Sequence, residues 1–384
     1  MAKGNAGLGK SAAAKGKTSK AGKTSEAEAR ATETLSPRAY GAHWFHFVLG
    51  QVYFVLATAL FLIADTSESA FAAGISIALV VMGAVTSAYG LRRGLSPDPA
   101  PSRFDEYWPI RFFTVTWKEM DDEAHLERVA RREAGLGWDW RPLVALVTGA
   151  VCLTLMEYFG GSGTFMRLVD AMSGTEGEEN WWNDLRGGQF SRLYEFVWWA
   201  GWRIAGYLIV PVMLIKATGQ RIRDQGFETK GFFKHAGIYI FAFHIVFFAV
   251  IIVSYTGEFS TYYPFYKLAT RSWFDFLAWE VLYAWQFLSL EFFFRGWWLK
   301  TLKPMMGSHA IFAMVVPYCM IHYGKPFPET MGAIVAGILL GTLAMKTRSI
   351  WSGFLIHVSV AVAMDVAALL QTSGMPTEWY PAPW

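Results

Sequence analysis

The chain has 384 residues, 53% of them hydrophobic, with 18 Trp, 30 Phe and a net charge of only +3. Its apolar residues fall in long blocks, which excludes an ordinary water-soluble domain and predicts an all-α, polytopic helical membrane bundle. Two cysteines, Cys152 and Cys319, lie far apart in apolar blocks and exclude a disulfide framework or a CxxC redox centre.

Residues 1–40 are mostly Ala, Gly, Ser, Thr and Lys, with almost nothing to bury, and are predicted to be a disordered basic tail. The stretch 4–11 matches the phosphate-loop pattern GxxxxGK[ST]. That pattern works only after a buried strand, and just Met1, Ala2 and Lys3 precede it, so no nucleotide site is expected. Nucleic acid is not an expected partner, because a solvated tail near anionic lipid accounts for the lysines. The first apolar run begins near His43, too late for a signal peptide. His43 and His46 read as interfacial.

Apolar segments follow at 43–64, 70–90, 142–159, 193–215, 236–255, 273–300, 308–323, 330–345 and 349–371. They predict about nine spans. The units are a tail at 1–40, helices at 41–235 with a long loop at 91–141, a C-terminal helical unit at 236–371, and a short tail at 372–384. Around the shorter pair of segments stand Gly324, Lys325, Pro326 and Pro328. This marks a helix ending inside protein at membrane depth, where it lines a wet cavity.

The basic residues alternate between loops. Arg92, Arg93, Arg128, Arg131, Arg132 and Arg141 follow the second span, Lys216 and Arg221 the fourth, Lys300 and Lys303 the sixth, and Lys346 and Arg348 the eighth. Loops at 65–68 and 176–184 are acidic instead. The positive-inside rule then predicts an integral membrane protein with a cytoplasmic N-terminus and an outside C-terminus, in the cell membrane for a bacterial chain. In the long loop, a proline-rich turn at 96–101 precedes Trp108, Phe112, Phe113 and Trp117, which suit the interface. A charged helix at 119–134 follows, with a Glu127–Arg131 pair and Leu126 and Val129 on its apolar side.

The run at 280–296 is apolar and aromatic yet carries Glu280, Glu291 and Arg295. An ionisable side chain at membrane depth costs about 2.5–3.5 kcal/mol, so each is a functional candidate. At ~100° per residue, Glu280, Ala284, Phe287, Glu291 and Arg295 share one helix face. Such a face suits hydrolysis, or merely neutralises two buried charges. His322 and His357 also sit in apolar helices, whereas His244 and His309 read as structural. Counting ~1.5 Å per residue from the basic loops places Glu291, His322 and His357 at depths of ~14, ~20 and ~12 Å, close enough to converge.

Glu291-Phe-Phe-Phe-Arg295-Gly296, then Tyr318-x-x-x-His322, then His357 resemble the three motifs of the CPBP intramembrane proteases, the CAAX-prenyl-protease and bacteriocin-processing (Abi) family. The family patterns are EExxxR, FxxxH and HxxxN, and the resemblance covers roughly 275–371. It implies a helical core in which glutamate and histidine activate water to cut a peptide near the membrane. The implied catalytic residues are Glu291, His322 and His357; Arg295, Glu280 and Asp365 are taken as supporting residues. Leu290 replaces the first Glu of the pair, Tyr318 replaces Phe, and Ala361 stands where the family has Asn or His. Asp365 lies ~12 Å further along and ~80° round, so it cannot simply replace that Asn.

Two chemistries stay open at this stage. In one, Glu291 and His322 deprotonate a water and His357 donates to the oxyanion, without a metal. In the other, Glu291, His322 and His357 ligate zinc. Implied substrates are a membrane protein or lipidated peptide within the bilayer. Rival classes are an inactive scaffold or immunity protein of the same fold, and a transporter using Glu280, Glu291, Arg295, Arg203 and the histidines as an ion relay.

Overall fold

The computed structural model describes residues 49–54, 56–57, 70–94, 108–173, 181–229 and 253–382, with scattered positions between 239 and 251. The tail at 1–40, its phosphate-loop pattern, His43, His46, His244, the turn at 96–101 and most of the segments 43–64 and 236–255 lie outside the described residues. Within them every regular element is helical, and the isolated bridge Phe227–Ser349 is the sole strand-like pairing.

The helices are α1 (Ala70–Gly94), α2 (Trp108–Glu133), α3 (Arg141–Phe159), α4 (Ser162–Met172), α5 (Trp181–Gly187), α6 (Ser191–Ala217) and α7 (Gly257–Tyr262). After these come α8 (Trp273–Glu291), a π-helical segment (Phe292–Trp298), α9 (Leu299–Met306), α10 (His309–Met320), α11 (Phe327–Thr347) and α12 (Trp351–Thr372). Among the described residues, α3, α6, α11 and α12 are long and apolar enough to cross a membrane. The chain is an integral membrane protein.

Local sequence sets the helix starts. Ser272 caps α8, its hydroxyl accepting the Asp275 N–H at 3.1 Å, and prolines in the first turns of α3 and α11 fill positions whose N–H has no helical partner. Between α10 and α11, Gly324 takes a left-handed φ of 87°, which a side chain would resist. α11 runs for 21 residues, longer than the 330–345 segment suggested.

The long loop departs most from expectation. Its aromatic stretch and its charged stretch form one 26-residue helix, α2, and Trp117 is buried rather than interfacial, donating its indole N–H to Thr342 at 3.0 Å. Trp117, Met120 and Ala124 repeat at three- and four-residue spacing, so they share the buried face. Leu126, expected on the apolar side, is exposed. The expected Glu127–Arg131 pair does not form, since Glu127 lies 3.8 Å from Arg141 and Arg131 lies 3.8 Å from Asp139. Acidic α2 residues instead grip the basic ends of the later helices: Glu119 meets Lys346 and Glu123 meets Lys303, each at 2.6 Å. The main core joins Trp117, Cys152, Met156 and Tyr207 to Phe292–Phe294, Trp298, Met314 and Ile338, so it crosses the 235/236 boundary. The C-terminal tail is anchored too, with Trp273 N–H donating to the Glu378 carbonyl at 2.9 Å.

Candidate active site

The site forms where α8 runs into the π segment, opposite α12 and the end of α10. Glu291 is the last residue of α8 and is 0% exposed, and Arg295, 1% exposed, lies within the π segment. Arg295 Nη1 sits 3.0 Å from Glu291 Oε1, and His357 Nδ1 approaches the same oxygen at 2.8 Å. Both contacts are close but too oblique to count as aligned hydrogen bonds. Their attraction is that of charge and dipole, which falls off slowly with angle and is strong at this burial.

His357 is the least buried of these three, its side chain 15% exposed. Its ring stacks on Phe287 at 5.1 Å between centroids with planes 5° apart. Beside a carboxylate at 2.8 Å, Nδ1 must carry the proton, since two lone pairs would repel. In the neutral ring, Nε2 then accepts the Tyr318 O–H at 2.8 Å. Tyr318 is buried, and the Arg295 guanidinium lies over its ring at 3.9 Å.

His322 lies two residues beyond the end of α10, in the turn before α11. Its Nδ1–H donates to the Tyr318 carbonyl at 2.8 Å, and its own carbonyl accepts the Thr330 hydroxyl at 2.8 Å. Ring and backbone are both fixed. Nε2 is left as the lone-pair nitrogen, with no protein partner among the described residues.

The expected grouping is therefore partly realised. Glu291, Arg295 and His357 meet directly, and Tyr318 links them to His322. Glu280 does not join them, because three turns of α8 separate it from Glu291. It faces Asp365 on α12 instead. Asp365 is wholly buried, accepting the Trp279 indole N–H at 2.7 Å and the Phe265 N–H at 3.0 Å. These two carboxyl groups form a separate cluster one level away. Arg203 is also apart, stacked on Trp199 at 3.9 Å.

Sequence reasoning missed two residues. Gly353 lies one turn before His357 on α12, and a Cβ there would overlap the Glu291 carboxylate. Its one signal is a glycine on the same helix face as the histidine. Tyr318 stood in the motif as a mild change, although its hydroxyl adds a polar group to a buried position.

The zinc arrangement does not fit these residues. Both nitrogens of His357 are engaged, and among the described residues no three His, Cys, Asp or Glu side chains converge as a metal-holding group.

Residues 271–363 match the family profile described as Type II CAAX prenyl endopeptidase Rce1-like. No curated protein and no solved structure matches the chain. The matched segment is similar to that family and contains Glu291, Arg295, Tyr318, His322 and His357.

Proposed function

We propose that the chain is an intramembrane endopeptidase that cleaves a prenylated or otherwise lipid-anchored peptide near its C-terminus, with His322 as general base. The observation that carries this reading is the engagement of the two imidazoles. Three of their four nitrogens are held by Glu291, by Tyr318 O–H and by the Tyr318 carbonyl, and His322 Nε2 keeps its lone pair.

His322 Nε2 takes a proton from water while the resulting hydroxide adds to the scissile carbonyl carbon. The tetrahedral oxyanion collapses, the C–N bond breaks, and His322 returns the proton to the departing amine. His357, whose nitrogens both face partners, stabilises the oxyanion through its ring dipole rather than by donating an N–H, and Glu291, held by Arg295, fixes the tautomer that sets that dipole. In this reading Glu291 acts through His357 rather than on water itself, a role that its complete burial favours. Burial of the assembly raises the strength of each of these interactions over its value in water.

The orientation that suits this chemistry has the ends bearing Lys300, Lys303, Lys346 and Arg348 in the cytoplasm, as the charge asymmetry predicts. A reporter at the N-terminus should then be cytoplasmic and one inserted near Glu178 should be outside.

The test is cleavage of a farnesylated CAAX-terminated peptide by the purified full chain in lipid nanodiscs, followed by mass spectrometry. His322→Ala should lose about 10²-fold or more in rate, the scale of a lost general base. Equal cleavage by His322→Ala would remove it from that role. A wild-type protein that cleaves no lipidated peptide would favour the second reading, a non-hydrolytic member of the fold, which Leu290 and Ala361 at motif positions support.

A further inference from the structure

We propose that Tyr318 is the positioning residue of this site, and that its hydroxyl, rather than Glu291, fixes the orientation of the His357 ring. The inference rests on the hydrolytic reading above and deepens it.

One residue makes three contacts. The Tyr318 carbonyl accepts the His322 Nδ1–H at 2.8 Å, its hydroxyl bonds His357 Nε2 at 2.8 Å, and its ring supports the Arg295 guanidinium at 3.9 Å. It is therefore the residue through which His322 is tied to the Glu291–Arg295–His357 assembly. At His357 the two possible anchors differ in quality. The Glu291 contact is short but oblique, whereas the Tyr318 contact meets the geometry of a hydrogen bond. Stacking on Phe287 holds the ring plane but does not distinguish the two orientations related by a 180° flip about Cβ–Cγ, and the directional hydrogen bond with the Tyr318 hydroxyl selects one of them.

Phe occupies this position in the family pattern that the chain resembles, so a Phe there suits the fold. That makes the test clean. Tyr318→Phe keeps the carbonyl and the aromatic face, and removes the hydroxyl alone. Its loss leaves a ring nitrogen of a largely buried histidine without its donor and lets the ring settle in more than one position.

The experiment compares wild type, Tyr318→Phe and a variant with 3-fluorotyrosine at 318, all as full chains in nanodiscs. Cleavage kinetics on the farnesylated peptide are read beside ¹⁵N-histidine spectra recorded without substrate, with His357 assigned through its loss in His357→Gln. Tyr318→Phe should elute and melt like wild type, with kcat lowered about 10- to 100-fold and KM within about twofold, the scale of a misplaced catalytic group. The His357 Nε2 resonance should move downfield, as an acceptor nitrogen does on losing its donor, while His322 stays in place. The fluorotyrosine variant, which keeps the hydroxyl, should stay near wild type in both readouts. An active wild type whose Tyr318→Phe variant matches it in kcat overturns the proposal, and so does an unmoved His357 resonance. A wild type silent on all lipidated peptides, with the His357 shift still present in Tyr318→Phe, sinks the hydrolytic reading and keeps the positioning contact.

Discussion

Glu291 on α8 and Gly353 on α12 are in contact, and the contact has room for no side chain at 353: the carboxylate occupies the space where a Cβ would project. The approach brings α12 against the end of α8 and carries His357, one turn further along, to the same carboxylate. The polar site thus depends on a missing methyl group as much as on its charged members.

Gly353→Ala should accordingly displace the Glu291 carboxylate. Overpacking of a buried position costs about 1–3 kcal/mol, so the variant should fold with a lowered melting temperature. Cleavage should fall further than stability alone explains, because His357 loses its partner. Thermal unfolding and peptide cleavage on the same preparation check both. A variant with wild-type activity would show that the carboxylate position is not critical.

Glu291→Gln should be costly to the fold as well as to catalysis. It leaves Arg295 buried with no counter-charge, and breaking a buried pair costs about 3–5 kcal/mol. Glu291→Gln combined with Arg295→Met removes both charges and should recover much of that loss without restoring cleavage. Glu280→Gln, in the separate cluster with Asp365, should leave the rate within a few-fold of wild type. Recovery of cleavage in the double variant would make the pair purely structural.

Metal removal should leave the rate unchanged. The donors do not converge as a zinc set, and the reaction proposed here uses His322 directly. Exhaustive treatment with a chelator followed by elemental analysis and a cleavage assay tests this. Stoichiometric zinc whose removal abolishes cleavage would overturn the metal-free reaction.

The α2 clamp gives a pH prediction outside the spans. Burial raises the Asp121 carboxyl above its usual value of 3.8, while hydrogen bonds from the Ser308 N–H and hydroxyl oppose the rise. A carboxyl whose folded pKa is raised favours the fold when protonated. Its contribution is fully present below the unfolded pKa and is lost as pH climbs through the folded one. Asp121→Asn keeps an acceptor for the Ser308 N–H and never ionises. It should therefore melt at or above the wild-type temperature at pH 7, with the gap closing towards pH 4. A gap that widens on acidification would reverse the sign of the argument.

The sequence by itself determined the membrane class, most of the helix positions in the C-terminal half, and the identity of Glu291, Arg295, His322 and His357 as residues of interest. These follow from short-range physics: apolar blocks of spanning length, and charges whose placement in such blocks is costly. Only the tertiary structure decided which of them meet. Glu280 and Glu291 share a helical face in projection, but rise along the axis separates them and packing gives Glu280 to Asp365. The gap at Gly353 and the two-sided use of Tyr318 depend on contacts between helices distant in sequence. Periodicity within one helix carries no record of what lies opposite. For the same reason the aromatic half of α2 read as interfacial and its charged half as a separate helix of the loop, because the basic helix ends that hold it lie 180 residues or more further along the chain.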